Sequence, residues 1–145
     1  MSNPRVVAVA SDHAGLDLKR EVLAELDSHN MTVLDLGTDG PESVDYPDYG
    51  YAVGEAVAAG RAEMGVIVCG TGIGISIAAN RTSGVRAALC CDTTMARLSR
   101  QHNDANVLAL GARLIGAEVA KDCLKVFLET DFEGGRHERR VAKLG

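Results

Sequence analysis

Apolar residues fall along this chain in two alternating rhythms. Residues 5–10 (Arg-Val-Val-Ala-Val-Ala) and 66–68 (Val-Ile-Val) are unbroken runs rich in β-branched side chains. Such runs predict parallel strands covered on both faces. Residues 32–36, 85–90 and 106–110 form three further runs of strand character. Between the runs the apolar spacing widens to the helical period. Leu18, Val22 and Leu26 share one face of a helix predicted to end near His29. Ile115, Val119, Cys123 and Phe127 align over a second helix at 115–128. Helices are also expected over about 49–59, directly after residues 70–74, over 93–101, and in a short C-terminal segment. Strand and helix thus alternate five times. That order predicts a three-layer α/β/α sandwich around a five-stranded parallel sheet with right-handed crossovers. With no internal repeat or linker, residues 1–145 are expected to form one domain.

In such sheets ligands bind beyond the carboxyl ends of the strands, near the point where strand order reverses. The turns to inspect are therefore Asp12-His13, residues 69–74, Cys91-Asp92 and residues 111–113. Residues 37–47, with two glycines and two prolines, form a loop long enough to line a site. Composition narrows the classes of ligand. Aromatics are 3% of the chain, too few for base-stacking surfaces, and the net charge of -5 disfavours a generic polyanion binder. No apolar run approaches a membrane span, and the first residues lack a signal-peptide pattern, so a cytoplasmic protein is expected. The four cysteines (Cys69, Cys90, Cys91 and Cys123) show neither zinc-ligand spacing nor a disulfide framework.

The densest chemistry lies in Cys69-Gly70-Thr71-Gly72-Ile73-Gly74. Glycines there let backbone approach a ligand closely and leave N–H groups unshielded. The following helix points its positive end at the turn. The turn lacks the Gly-Lys-Ser/Thr of a nucleoside-triphosphate loop. It begins like a dinucleotide fingerprint, Gly70-x-Gly72, but Ile75 holds the third glycine position. Asp92, 22 residues after Gly70, keeps a non-catalytic nucleotide-binding module in play. The other functional reading is an oxyanion hole, in which one donor is worth ~3 kcal/mol of barrier. Cys69 reads either as a small core filler or, at a helix N-terminus, as a nucleophile or base.

Asp12 fits a helix N-cap, worth about 1 kcal/mol, or with His13 a group for sugar hydroxyls or proton transfer. Asp92 is a natural N-cap. His102, followed by Asn103, falls where a helix gives way to the fifth strand, the edge normally away from ligands. Only a neighbouring subunit or a long helix would bring it to a strand-end site. Arg113 follows the fifth strand and faces the ligand side. Arg136 and Arg140, four apart, form either a solvated basic tail or a phosphate clamp.

Taken together, Ser11-Asp12-His13-Ala14-Gly15, Asp45-Tyr46-Pro47, the run from Cys69 to Asn80, Arg100-Gln-His-Asn-Asp-Ala-Asn106, Gly111-Ala-Arg113 and Gly135-Arg-His-Glu-Arg-Arg140 resemble the type B ribose-5-phosphate isomerases. Their family also holds galactose-6-phosphate and allose-6-phosphate isomerases. The likeness spans roughly residues 6–141. It implies a Rossmann-like fold and reversible conversion of D-ribose 5-phosphate to D-ribulose 5-phosphate through a cis-enediolate, in the non-oxidative pentose phosphate pathway, without metal or cofactor. It implies a homodimer, sometimes paired into a tetramer, with each site built from two subunits. By position, Cys69 would be the base between C1 and C2. The N–H groups of Gly70, Thr71, Gly72, Ile73 and Gly74 would hold the enediolate oxygen, and His102 would open the furanose. Asp12, His13 and Asn103 would contact the sugar, while Arg113, Arg136 and Arg140 would bind phosphate. A second branch of the family lacks the cysteine and carries Glu in the loop helix. Here Cys69 is present and Ile75 holds that helix position, which fits the cysteine branch.

Overall fold

The computed structural model describes residues 5–145. Its elements run β1 (Val6–Ser11), α1 (Leu16–Ser28), β2 (Thr32–Asp35), α2 (Tyr46–Ala58), β3 (Met64–Cys69), α3 (Ile73–Ala79), β4 (Ala87–Leu89), α4 (Thr93–Asn103), β5 (Val107–Gly111), α5 (Ala117–Glu129) and α6 (Arg136–Leu144). The five strands are parallel, in the order β2-β1-β3-β5-β4. Helices α1, α4 and α5 cover one face through Val22, Leu26, Ala96, Leu124 and Phe127, against Val7, Val9, Val66, Val68, Leu108 and Leu110. Helices α2 and α3 cover the other through Val53, Ala56, Ile75 and Ala79, against Ala8, Ala10, Ile67 and Ala109. The three-layer sandwich expected from the alternation is present, and it is Rossmann-like, as the resemblance implies. Continuous apolar runs become the three central strands because each must satisfy two covered faces.

Element limits differ from expectation where local chemistry outweighs hydrophobic rhythm. Helix α2 begins at Tyr46 rather than near 49, because Pro47 occupies its first turn. A proline's fixed φ suits that position and its missing N–H costs nothing there. Helix α5 begins at Ala117, and Val119 is exposed. The buried stripe runs through Ala120, Cys123, Leu124 and Phe127, and Val119 lies about 100° from its centre. Strand β4 contracts to three residues at the sheet edge.

Candidate active site

Strand order reverses between β1 and β3, since the chain steps from β1 to β2 on one side and then crosses to β3 on the other. Asp12 and Cys69 meet at that point. Ser11 pairs with Val68, and the Asp12 N–H donates to the Val68 carbonyl at 3.2 Å. Both side chains are buried, Asp12 to 6% and Cys69 to 4% exposure. On the other flank β5 sets Gly111 opposite Cys69. The N–H groups of Ala112 and Arg113 donate to the carbonyls of Cys69 (2.9 Å) and Gly70 (2.8 Å). Three strand ends are thereby tied into one floor.

The glycine turn is shaped by contacts that a side chain would break. Gly72 has φ 78°, and a Cβ there would lie 2.6 Å from Leu89 Cδ1 and 2.9 Å from the Leu110 carbonyl carbon. A Cβ on Gly70 would lie 3.4 Å from Arg113 Cζ, so the guanidinium lies over the turn. The Tyr46 ring lies against Gly74 in the same way. The turn's donors are already divided. Gly72 N–H donates to Cys69 Sγ at 3.1 Å, and Ile73 N–H to Thr71 Oγ1 at 3.1 Å. The N–H groups of Gly70, Thr71 and Gly74 have no protein acceptor among the described residues. Helix α3 has only seven residues, so the local N–H groups, more than a long helix dipole, give the turn its affinity for negative charge.

Asp12 does not cap α1, contrary to its sequence reading. Gly15 occupies the N-cap, and Asp12 Oδ1 accepts the Gly15 N–H at 3.0 Å across the intervening turn. His13 Nδ1 accepts the Val44 N–H at 3.1 Å, which leaves the proton of a neutral ring on Nε2. That bond ties His13 to the loop between β2 and α2. The loop's root is held by Lys19, 1% exposed, whose ammonium donates to Asp35 Oδ1 (2.8 Å) and the Thr38 carbonyl (2.6 Å). Sequence reading passed over Lys19. The available signal was a lysine three residues before Val22 and seven before Leu26, on the apolar stripe.

The remaining candidates lie elsewhere. Helix α4 runs back from the carboxyl edge, and Arg86, just before β4, donates through Nε to the Asn103 carbonyl at 3.2 Å. His102 and Asn103 therefore sit at the amino edge of the sheet. Helix α6 joins them there. The rings of His102 and His137 stack with centroids 4.4 Å apart and planes 14° from parallel. Glu133 Oε1 lies 4.0 Å from His102 Nε2 and 3.4 Å from His137 Nε2. Burial, then the neighbouring His102 and Arg136, push the His137 imidazole below its ordinary pKa. Arg136 and Arg140 share this helix and are exposed. Neither His137 nor Glu133 was singled out from the sequence, where each reads as one polar residue of a charged tail.

Asp92 caps α4, its Oδ1 accepting the Met95 N–H at 2.8 Å. Strand β5 intervenes between β3 and β4, so Asp92 is a full strand removed from the glycine turn. A ribose-binding acid would follow the strand next to the turn. Of the other cysteines, burial raises the Cys90 thiol to about 12 and the Cys123 thiol to about 11, as befits neutral core groups.

Comparison with known proteins agrees with this geometry. A family model described as Ribose/Galactose Isomerase matches residues 7–144. Ribose-5-phosphate isomerase B of Escherichia coli is 48% identical over 135 residues, which are 93% of this chain and 91% of that protein. The Clostridium thermocellum ribose-5-phosphate isomerase B structure superposes with a TM-score of 0.95 at 51% identity, covering 97% of this chain and 95% of that one. The Thermotoga maritima ribose 5-phosphate isomerase gives 0.94 at 51% identity, covering 97% of each chain. With nearly its whole length matched and its strand ends arranged as described, the chain belongs to the ribose/galactose isomerase family.

Proposed function

We propose that this chain is an aldose–ketose isomerase that interconverts D-ribose 5-phosphate and D-ribulose 5-phosphate. The observation that carries the reading is a single turn holding Cys69 Sγ beside the Gly72 N–H, together with three N–H groups that lack acceptors among the described residues. Proton transfer next to a carbonyl needs a base and a stabilised oxyanion, and this turn offers both within a few ångströms. In the open-chain aldose, the Cys69 thiolate takes the proton from C2. The C1 carbonyl electrons move onto its oxygen, and the N–H groups of Gly70, Thr71 and Gly74 receive that charge. The proton returns to C1, the C2 hydroxyl proton passes to the C1 oxygen, and the ketose leaves with no atom gained or lost. In this reading Asp12 and His13 would contact the sugar, and Arg113, whose guanidinium lies over Gly70, would bind the phosphate.

His102, Asn103, Arg136 and Arg140 do not reach this turn within one chain. Helix α4 alone separates the two edges by roughly 15 Å. We therefore infer a homodimer in which the amino-edge residues of one subunit complete the partner's site, His102 opening the furanose and the arginines binding phosphate. Tyr46, Tyr51, Ile73 and Ile77 support that inference, because they expose apolar surface on α2 and α3 beside the turn. No described helix is long and apolar enough to cross a membrane.

The test is turnover of ribose 5-phosphate by wild type and by a folded Cys69→Ser variant, in water and in D2O. Loss of turnover in the variant, with solvent deuterium entering the wild-type product, supports the reading, and near wild-type turnover in the variant overturns it. Comparing kcat/KM for five-carbon and six-carbon aldose phosphates separates ribose 5-phosphate from the allose and galactose substrates of the same family. Tight nucleotide binding with no isomerase activity would favour the binding-module alternative.

A further inference from the structure

In the dimer proposed above, His102 serves the partner's site from the end of a helix. It is the next-to-last residue of α4, and Asp104 follows at a left-handed φ of 46°. Helices fray in their last turn, and an unheld imidazole there samples several rotamers. Opening a furanose demands aim. The C1–O4 bond breaks, its electron pair stays on O4, and in net one proton passes from the C1 hydroxyl to O4. An imidazole gives or takes that proton only along an in-plane nitrogen, so the tilt of the ring decides whether it works. We propose that His137 is the positioning residue for this step: its ring, stacked on His102, fixes the plane in which His102 meets the sugar. The proposal rests on the isomerase reading and on the place of His102 in it.

The two rings lie face to face, with centroids 4.4 Å apart and planes 14° from parallel. His137 is 7% exposed, whereas the His102 side chain is 38% exposed, so the stack has one fixed member and one open member. The fixed member is held on both sides. Its Nε2 lies 3.4 Å from Glu133 Oε1, and its backbone N–H donates to the Gly134 carbonyl at 3.1 Å. The segment leading to it is tied to α4 at the turn where His102 stands. The Glu133 N–H donates to the Gln101 carbonyl at 3.1 Å, and buried Arg100 donates through Nε to the Thr130 carbonyl at 3.0 Å. Arg100 also grips the end of its own helix, donating to Asp104 Oδ1 at 2.9 Å and to the Ala105 carbonyl at 2.6 Å. The stack is therefore fastened from both helices. Burial, then the neighbouring His102 and Arg136, hold His137 below its ordinary pKa. A neutral ring can lie against a protonated His102 without repelling it, and Glu133, beside both rings, offsets part of the field of Arg136 and Arg140.

The experiment uses two substitutions and two reactions. His137→Leu fills the space without an aromatic plane, and His137→Phe restores the plane without a nitrogen. The first reaction is conversion of ribose 5-phosphate, which needs the ring opened. The second is exchange of a C1 hydrogen of ribulose 5-phosphate in D2O. That exchange needs no ring opening, because the phosphate on C5 leaves no hydroxyl to close a five-membered ring. His137→Leu should lower kcat for conversion about tenfold, with KM unchanged and the exchange at its wild-type rate. His137→Phe should bring conversion back to within about threefold of wild type. Full conversion by His137→Leu, or equal losses in the two variants, overturns the proposal. A raised KM with both reactions slowed also overturns it, since His137 would then serve only to anchor α6 and its arginines. If His137→Leu does not fold, Glu133→Ala, at a half-exposed position, decides in its place. The same split at smaller size supports the proposal, and unchanged conversion overturns it. A wild type that neither converts nor exchanges refutes the isomerase reading itself, whereas a wild type active in both, with insensitive variants, refutes the positioning role alone.

Discussion

The two edges of the sheet are built from different materials. At the carboxyl edge the site is mostly backbone, with turn N–H groups and tight glycines locked to one another across β1, β3 and β5. At the amino edge it is side chains on helix ends, with His102 finishing α4 and Arg136, His137 and Arg140 along α6. Backbone donors are fixed by the fold and suit a charge that develops at one point and must be met without rearrangement. Helix-end arginines suit a phosphate that is already charged and needs orientation. Under the proposed function neither edge would be a complete isomerase. The carboxyl edge would hold the reacting carbons and the amino edge of the partner their handles.

The largest effect should come from the carboxyl edge. Cys69→Ala should lower kcat by about 10²–10⁴-fold with little change in KM, since removing a proton-transfer group affects the transition state chiefly. Steady-state kinetics on ribose 5-phosphate checks this. If KM rises while kcat holds, the division of labour between the edges is mistaken.

Mixing breaks the comparison more directly. Cys69→Ala and His102→Ala should each be nearly inactive alone. Unfolded and refolded together in equal amounts, they should recover about a quarter of the wild-type activity, because half the twofold-symmetric dimers then carry one intact site of two. Recovery near zero would mean that each site is made by one chain.

Within the carboxyl edge, Gly72→Ala tests whether the floor is as rigid as its contacts say. The methyl would meet Leu89 and Leu110 at a left-handed φ of 78°. Strain and overpacking together should cost about 3 kcal/mol or more of stability in denaturant unfolding. Activity should fall with stability, since the same residue gives the N–H beside Cys69 Sγ.

Much of this was legible in the sequence, and for physical reasons. Covered parallel strands must be apolar throughout, so β1, β3 and β5 declared themselves. The glycines of 70–74 and Cys69 were visible because a close-approach turn admits few other residues. What stayed hidden depends on strand order and on side-chain meetings at a distance. That β5 inserts between β3 and β4 is not in any local pattern, and that insertion removes Asp92 from the glycine turn. The stacking of His102 on His137 joins residues 35 apart across α4 and α6. Asp12 looked like a cap because aspartate before a helix usually is one. Only the extra turn to Gly15 shows otherwise.

Lys19→Met should have a smaller effect, and it probes how the loop reaches the site. The change keeps the stem and removes an ammonium that joins Asp35 to the Thr38 carbonyl. Asp35 is partly exposed and can turn to water, so the main loss is a buried carbonyl left without a donor, about 1–3 kcal/mol. If the loop positions His13 through Val44, KM for the sugar phosphate should rise more than kcat falls.

The smallest effect belongs to the amino edge and concerns pH. Burial holds the His137 pKa below its ordinary value of 6.5, so the native ring resists a proton that the unfolded chain accepts. Stability from this source is therefore complete above about pH 6.5. It declines as pH falls from there through the lowered native pKa, because over that window the unfolded state binds more protons. Below the native value the loss stays constant. Thermal unfolding of wild type between pH 7.5 and pH 5 should show the decline, and His137→Gln, which cannot take the proton, should show less of it. Equal acid slopes in the two proteins would mean that His137 is not held neutral by burial. The amino edge would then be as open to protons as its exposed arginines suggest, and its contrast with the buried carboxyl edge would be sharper still.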